Sequence, residues 1–249
     1  SVAEVIAPIS VGFFLMIADW RQVMQSTILP ALILGSIFLR MTRYIPLPIE
    51  GSVGFRDIKS TLHLIRKPTS LIMFLVLGFH SMAIMGLLTM IPLYLQSVWH
   101  LSSGLSGSLF SLMILCGALG GPLLGALADS RLQRKMIFLS LVGVMGATLV
   151  VVFGNGLYQL ILGISIIGFL LLGLRPSLVA LLLGIIGGRQ TTVMGIVLAG
   201  GEIVGAFGSL LSGITGEFNL SLSILLVGGL SGVSAFLLCF LPRSLVKGH

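Results

Sequence analysis

Three ionisable side chains lie inside long apolar runs: Arg175 in Gly173-Leu-Arg175-Pro176, Glu202 in Gly201-Glu202-Ile-Val-Gly205, and His80 in Gly78-Phe-His80-Ser81. An ionisable group in such a run is costly unless it faces a cavity or a partner. The planar fork of an arginine binds carboxylate or phosphate through two parallel hydrogen bonds. A carboxyl group removed from water favours its neutral form and can carry a proton. Imidazole exchanges a proton near neutral pH. Arg175 and Glu202 stand on either side of the short polar break at 187–189. At about 1.5 Å per helical residue both lie ~18–20 Å from the same membrane surface. Adjacent antiparallel helices would bring them into contact. The pair then either lines a cavity, exchanging partners with a bound solute or proton, or holds two helices together. His80 is either a proton-sensitive cavity residue or a hydrogen-bonding contact to a neighbouring helix.

The elements that must position these residues follow from composition. Hydrophobic residues make up 56% of the 249 residues and charged residues only 8%, and the mean hydropathy is +1.16. A water-facing domain carries about a quarter charged residues, so the chain is expected in a lipid bilayer. Eight apolar segments can be drawn, at roughly 2–18, 23–39, 69–97, 104–128, 135–153, 157–186, 190–214 and 219–241. Most are long enough for a helix to cross a hydrocarbon core of about 30 Å. They lack the alternation of barrel strands, so the expected fold is an all-α polytopic bundle. Glycines at four-residue spacing, Gly117/Gly121/Gly125 and Gly201/Gly205, predict close helix packing. Pro92 and Pro176 are expected to kink their helices. Tyr94, Gln96 and Trp99, near the end of the third segment, read as anchors at the membrane interface.

Charge sets the orientation. The longest polar stretch, 40–68, contains Arg40, Arg43, Arg56, Lys59, Arg66 and Lys67. With that loop in the cytoplasm, every one of the 14 Lys and Arg residues except Arg21 and Arg175 falls on the cytoplasmic side. That asymmetry is what the positive-inside rule describes, and it places the carboxy terminus in the cytoplasm of a cell in whose cytoplasmic (inner) membrane the chain sits. The basic excess is therefore read as membrane topology, not as nucleic-acid binding. Cys116 and Cys239 lie in apolar runs and predict free thiols. No cofactor motif, metal-ligand spacing, phosphate-binding loop or catalytic constellation stands out, and no enzyme activity is expected.

At the end of the fourth segment the chain reads Gly121-Pro-Leu-Leu-Gly125-Ala-Leu-Ala-Asp129-Ser-Arg131-Leu-Gln-Arg134-Lys135. This resembles the loop motif of the major facilitator superfamily, G-x-L-x-D-R-x-G-R-R/K, found between its second and third helices and, in weaker form, between its eighth and ninth. Ser130 replaces the usual arginine, and Leu132 or Gln133 the usual glycine, which fits the weaker copy. The resemblance implies that Gly125 allows close helix contact. It also implies that Asp129 accepts hydrogen bonds from a neighbouring helix end as a gating latch, while Arg131, Arg134 and Lys135 stay at the cytoplasmic interface. Asp19-Trp20-Arg21, Ala7-Pro8-Ile-Ser-Val-Gly12 and Ile91-Pro92-Leu-Tyr94-Leu-Gln96 are similar to elements near the family's fifth and seventh helices.

On that resemblance the chain corresponds to helices five to twelve of a twelve-helix transporter. Residues 1–39 would hold the last two helices of the amino-terminal bundle, 40–68 the central cytoplasmic loop, and 69–249 the complete carboxy-terminal six-helix bundle. The preceding helices of the same protein would be its partner, with the lipid bilayer, a small organic solute and H⁺ as the other partners. The implied function is secondary active transport of that solute, coupled to protons, by alternating access between two bundles. Arg175 tilts the solute towards an anion or zwitterion. Drug or metabolite efflux by antiport within the same superfamily, a truncated transporter without function, and a membrane-embedded lipid-modifying enzyme are the alternatives.

Overall fold

A computed structural model of the chain describes residues 11, 14, 19–26, 28–42, 67–128, 133–186 and 190–241. Among these there is no strand. Two helices come first, α1 (Trp20–Ser26) and α2 (Ile28–Thr42). After them come α3 (Pro68–Ser97), α4 (Ser103–Ala128), α5 (Gln133–Phe153), α6 (Leu157–Ile186), α7 (Gln190–Phe218) and α8 (Leu220–Cys239). These last six are each long and apolar enough to cross a membrane. The first expected segment falls largely outside the described residues. The second appears as α2, whose 15 residues span only ~22 Å. It packs on α1 and buries none of its residues. Among the described residues, six of the eight expected spans are present as membrane-competent helices.

The six-helix bundle is built as two interlocked groups of three. Helix α3 packs most extensively on α7 and α8, α4 packs on α6, and α5 packs on α8 and α6. The pattern of partners survives exchanging α3, α4 and α5 for α6, α7 and α8, as expected of an internal repeat. Helices α3 and α6 are the related central pair, and α4 and α7 make no substantial contact with each other.

Glycines set these contacts, in a register that differs in part from the expected one. On α7 the prediction holds. A methyl group at Gly205 would sit 2.9 Å from Met85 Cγ and 3.3 Å from the Ser81 carbonyl oxygen, and one at Gly201 would sit 3.4 Å from Ser81 Oγ. On α4 the seam runs through Gly117 and Gly120. A methyl at Gly117 would meet Leu172 and the Gly168 carbonyl, and one at Gly120 would meet Phe169 and Gly173. Nothing described lies within 4 Å of a methyl at Gly121 or Gly125. The expected close contact at those two positions is therefore corrected. Spacings of three and four both keep residues on one helix face, and the backbone of α6 selects the 117/120 pair.

Helix α6 is not uniform. Its α-helical parts, Leu157–Ile167 and Gly173–Ile186, are joined by a π-helical turn, Gly168–Leu172. Pro176 lacks the N–H that would bond to the Leu172 carbonyl, and its ring crowds that carbonyl. The irregularity expected of Pro176 is thus taken up in the turn just before it. Pro92 lies within α3, and its carbonyl accepts a hydrogen bond from Ser106 Oγ at 3.2 Å, which ties α4 to α3.

The buried apolar side chains form two clusters. One contains Met82, Leu87, Ile91, Met113, Val144 and Ile164; the other contains Met73, Leu77, Leu124, Leu141, Leu178 and Val197. Along α3 the change from one to the other comes between Leu77 and Met82, where Gly78, His80 and Ser81 are buried instead. A polar layer therefore divides the apolar interior near the middle of the span.

Candidate functional site

Arg175 enters the polar layer from α6, three residues past the π-turn. One extra residue in that turn rotates the remainder of α6 by roughly 100° relative to an uninterrupted α-helix. Arg175 Nη2 donates to Glu202 Oε1 of α7, so the two residues matched by depth in the sequence form an ion pair. The pair is not sealed in the core: the Arg175 side chain is 32% exposed and that of Glu202 48%. The engaged Nη2 is one corner of a guanidinium that carries five N–H donors. The rest of the fork is open to further acceptors.

Arg175 also lines a cavity of about 740 Å³, within the range of small-molecule sites. Its walls come from three helices: Ile84 and Leu88 of α3, Ile114, Gly117, Ala118, Gly121 and Pro122 of α4, and Leu172, Arg175 and Pro176 of α6. Among the described residues that line it, the Arg175 guanidinium is the charge in an otherwise apolar wall. The cavity sits at the middle of each contributing helix, where α4 and α7 stand apart. The contribution of α4 was not foreseen. Gly121, expected to pack against a helix, instead leaves open space on the cavity wall, and no periodicity argument distinguishes those two uses of a glycine.

His80 occupies the same layer but not the cavity wall. It is fully buried in α3, with the Leu171 backbone of the π-turn and the charge of Arg175 as its polar neighbours. Neither ring nitrogen makes a hydrogen bond of normal geometry. The three candidates thus come from three helices; Arg175 pairs with Glu202, and its charge reaches His80 without a hydrogen bond.

The loop motif is described only in part. Asp129 and Arg131 lie outside the described residues. Lys135 is exposed at the start of α5. Arg134 instead turns inward, and its Nη2 donates to the Cys239 carbonyl at 2.8 Å. A cation at a helix carboxy terminus meets the negative end of the helix dipole, so Arg134 pins α5 to the end of α8. Tyr94 departs from its expected place. It is buried, and its hydroxyl donates to the Val151 carbonyl at 3.1 Å. It therefore ties α3 to the last turn of α5 and is not an interface anchor. Gln96 is exposed and Trp99 half-buried. Cys116 and Cys239 are free thiols. Among the described residues no group of three or more His, Cys, Asp and Glu converges on a metal-sized site.

The arrangement suits reversible binding of a small solute at mid-membrane. It joins a half-open, largely apolar volume to one accessible cation among the described residues, Arg175, with a carboxylate from the neighbouring helix as that cation's partner. Comparison with curated proteins returned no match. The family model of the Major Facilitator Superfamily matches residues 1–154 and residues 73–248, which together span nearly the whole chain. With six membrane-competent helices arranged as two interlocked triplets, the chain belongs to the major facilitator superfamily and is a multi-pass membrane protein of that transporter family.

Proposed function

We propose that the protein is a secondary active transporter of a small organic solute, coupled to protons, and that Arg175 and Glu202 form its central binding and coupling site. The observation that carries this reading is the Arg175–Glu202 pair itself, open on one side to a cavity of about 740 Å³. A purely structural pair gains nothing from that opening. Water around it would weaken its Coulomb attraction and reduce what it contributes to holding the helices together.

In this reading residues 69–249 form the carboxy-terminal bundle, 40–68 the central cytoplasmic loop, and 1–39 the last helices of the amino-terminal bundle. The bundles rock about the cavity, exposing it to either side in turn. The distribution of basic residues supports a cytoplasmic carboxy terminus in the cytoplasmic membrane. The π-turn and Pro176 place a soft segment in α6 beside the site, where a cavity-lining helix must flex. Asp129, Arg131 and Lys135 act at the cytoplasmic gate, with Arg134 anchoring the hairpin to α8.

The test is a solute counterflow screen with the full-length protein in proteoliposomes at two pH values, together with charge variants. Arg175→Ala should abolish counterflow, whereas Glu202→Ala should keep solute exchange and lose its dependence on pH. The exchanged pair, Arg175→Glu with Glu202→Arg, should recover folded protein without recovering transport. Normal counterflow by correctly folded Arg175→Ala would refute the cavity role and leave the pair a structural one.

A further inference from the structure

The cavity is lopsided in a way that identifies what it would hold. Its charge comes from Arg175, while Glu202 touches the guanidinium from α7 and is not among the wall residues. A solute entering the cavity therefore meets the cation first. The remaining walls are side chains such as Ile84, Leu88, Ile114 and Leu172, which offer no hydrogen bonds. A small, strongly hydrated anion would lose its water there without replacement. An ammonium group would approach the like charge of Arg175.

We propose that the solute is an amphiphilic monoanion, an apolar body bearing one carboxylate, which takes the place of Glu202 on Arg175 while Glu202 picks up a proton. This rests on the cavity being the transport site. The exchange balances: the incoming carboxylate replaces one salt bridge with another, and the displaced Glu202 carboxylate gains H⁺ on an oxygen. Anion and proton enter together, leaving the net charge of the site unchanged. Among the described residues the ionisable groups around the exchange are Arg175 of α6 and the fully buried His80 of α3, which feels the charge of Arg175. The cavity residues of α4 include none, and Cys239 of α8 lies at the far end of its helix. Gly121 sets the size limit for the apolar body, because a side chain there would grow into the cavity and meet no described atom.

The experiment uses the purified full-length protein in detergent with matched probes: 2-naphthoate, 2-naphthylmethylammonium, 2-naphthylmethanol and inorganic phosphate. Equilibrium dialysis reads binding, and a pH indicator in weakly buffered solution reads proton uptake. Naphthoate is expected to bind most tightly, with proton uptake accompanying binding. Arg175→Gln should weaken it by at least about thirtyfold. If that variant misfolds, Arg175→Lys, which keeps the charge but loses the fork, should still bind more weakly than the parent. Glu202→Gln should bind naphthoate without proton uptake, and Gly121→Leu should exclude it while melting no lower than the parent. Equal binding of the alcohol, or phosphate binding as tight as naphthoate, overturns the proposed class. Preference for the ammonium probe, lost in Glu202→Gln, overturns the class but keeps the cavity as a transport site. If no probe binds and Gly121→Leu leaves counterflow of every solute unchanged, the transport reading of the cavity falls as well.

Discussion

Gly120 and Gly121 are neighbours on α4, yet alanine is expected to act oppositely at the two positions. At Gly120 the new methyl would lie 3.1 Å from the Phe169 carbonyl carbon and 3.3 Å from Gly173 Cα, with the Phe169 carbonyl oxygen closer still. These are backbone atoms, so no rotamer change relieves the overlap. Carbon atoms prefer separations of about 3.5–4.0 Å, and the still closer Phe169 carbonyl oxygen means that the α4–α6 seam would have to open by about an ångström. Such overpacking costs about 1–3 kcal/mol. The gain in helix propensity from Gly to Ala, at most about 1 kcal/mol, offsets only part of that. At Gly121 nothing described lies within 4 Å, so only the gain remains. The two variants should differ by ~2 kcal/mol, which for a chain of this size corresponds to roughly 4–8 °C in Tm. Thermal melts of the two purified variants in the same detergent, monitored by a thiol-reactive dye or by loss of the monodisperse peak, read the difference. Identical melts would refute the α4–α6 register and the assignment of Gly121 to the cavity wall with it.

Two further contacts make separate predictions. Tyr94→Phe removes the hydrogen bond to the Val151 carbonyl, a group in the last turn of α5 with no partner of its own within the helix. A loss of about 0.5–1.5 kcal/mol is expected, read as a lower melting temperature with solute binding unchanged. Arg134→Gln releases the Cys239 carbonyl and the favourable charge at the end of α8. Hydrogen exchange in the last turn of α8 should quicken by about fivefold, whereas exchange in the middle of α8 should not change.

Much of the architecture could be read along the chain. Apolar run length and charge asymmetry foretold the six spans from 69 onward, because a bilayer demands helices of a set length and penalises charge within them. The pairing of Arg175 with Glu202 was also legible: distance from a common polar break measures depth in antiparallel helices, and few groups at that depth can satisfy each other. The burial of His80 and Tyr94 was not legible. Whether a residue on a membrane helix faces lipid, cavity or core depends on rotation about the helix axis. A span that is hydrophobic all round leaves little periodicity to fix that rotation.

The same physics explains the glycines. Composition showed that the helices approach closely, but Gly117, Gly120, Gly121 and Gly125 are indistinguishable as letters. Only the backbone of α6, shifted by its π-turn ahead of Pro176, decides that Gly117 and Gly120 form the buried seam and that Gly117 and Gly121 border the cavity. Membrane residence, the positions of the long spans and the charges held at mid-depth come from the chain itself, since they are properties of one helix in its solvent. The cavity, its three-helix lining and the exposure of Arg175 to it are set by rotation and packing between helices. Those arise only when the helices meet, because lipid and helix surface are equally apolar and nothing in a single span says which face will be covered.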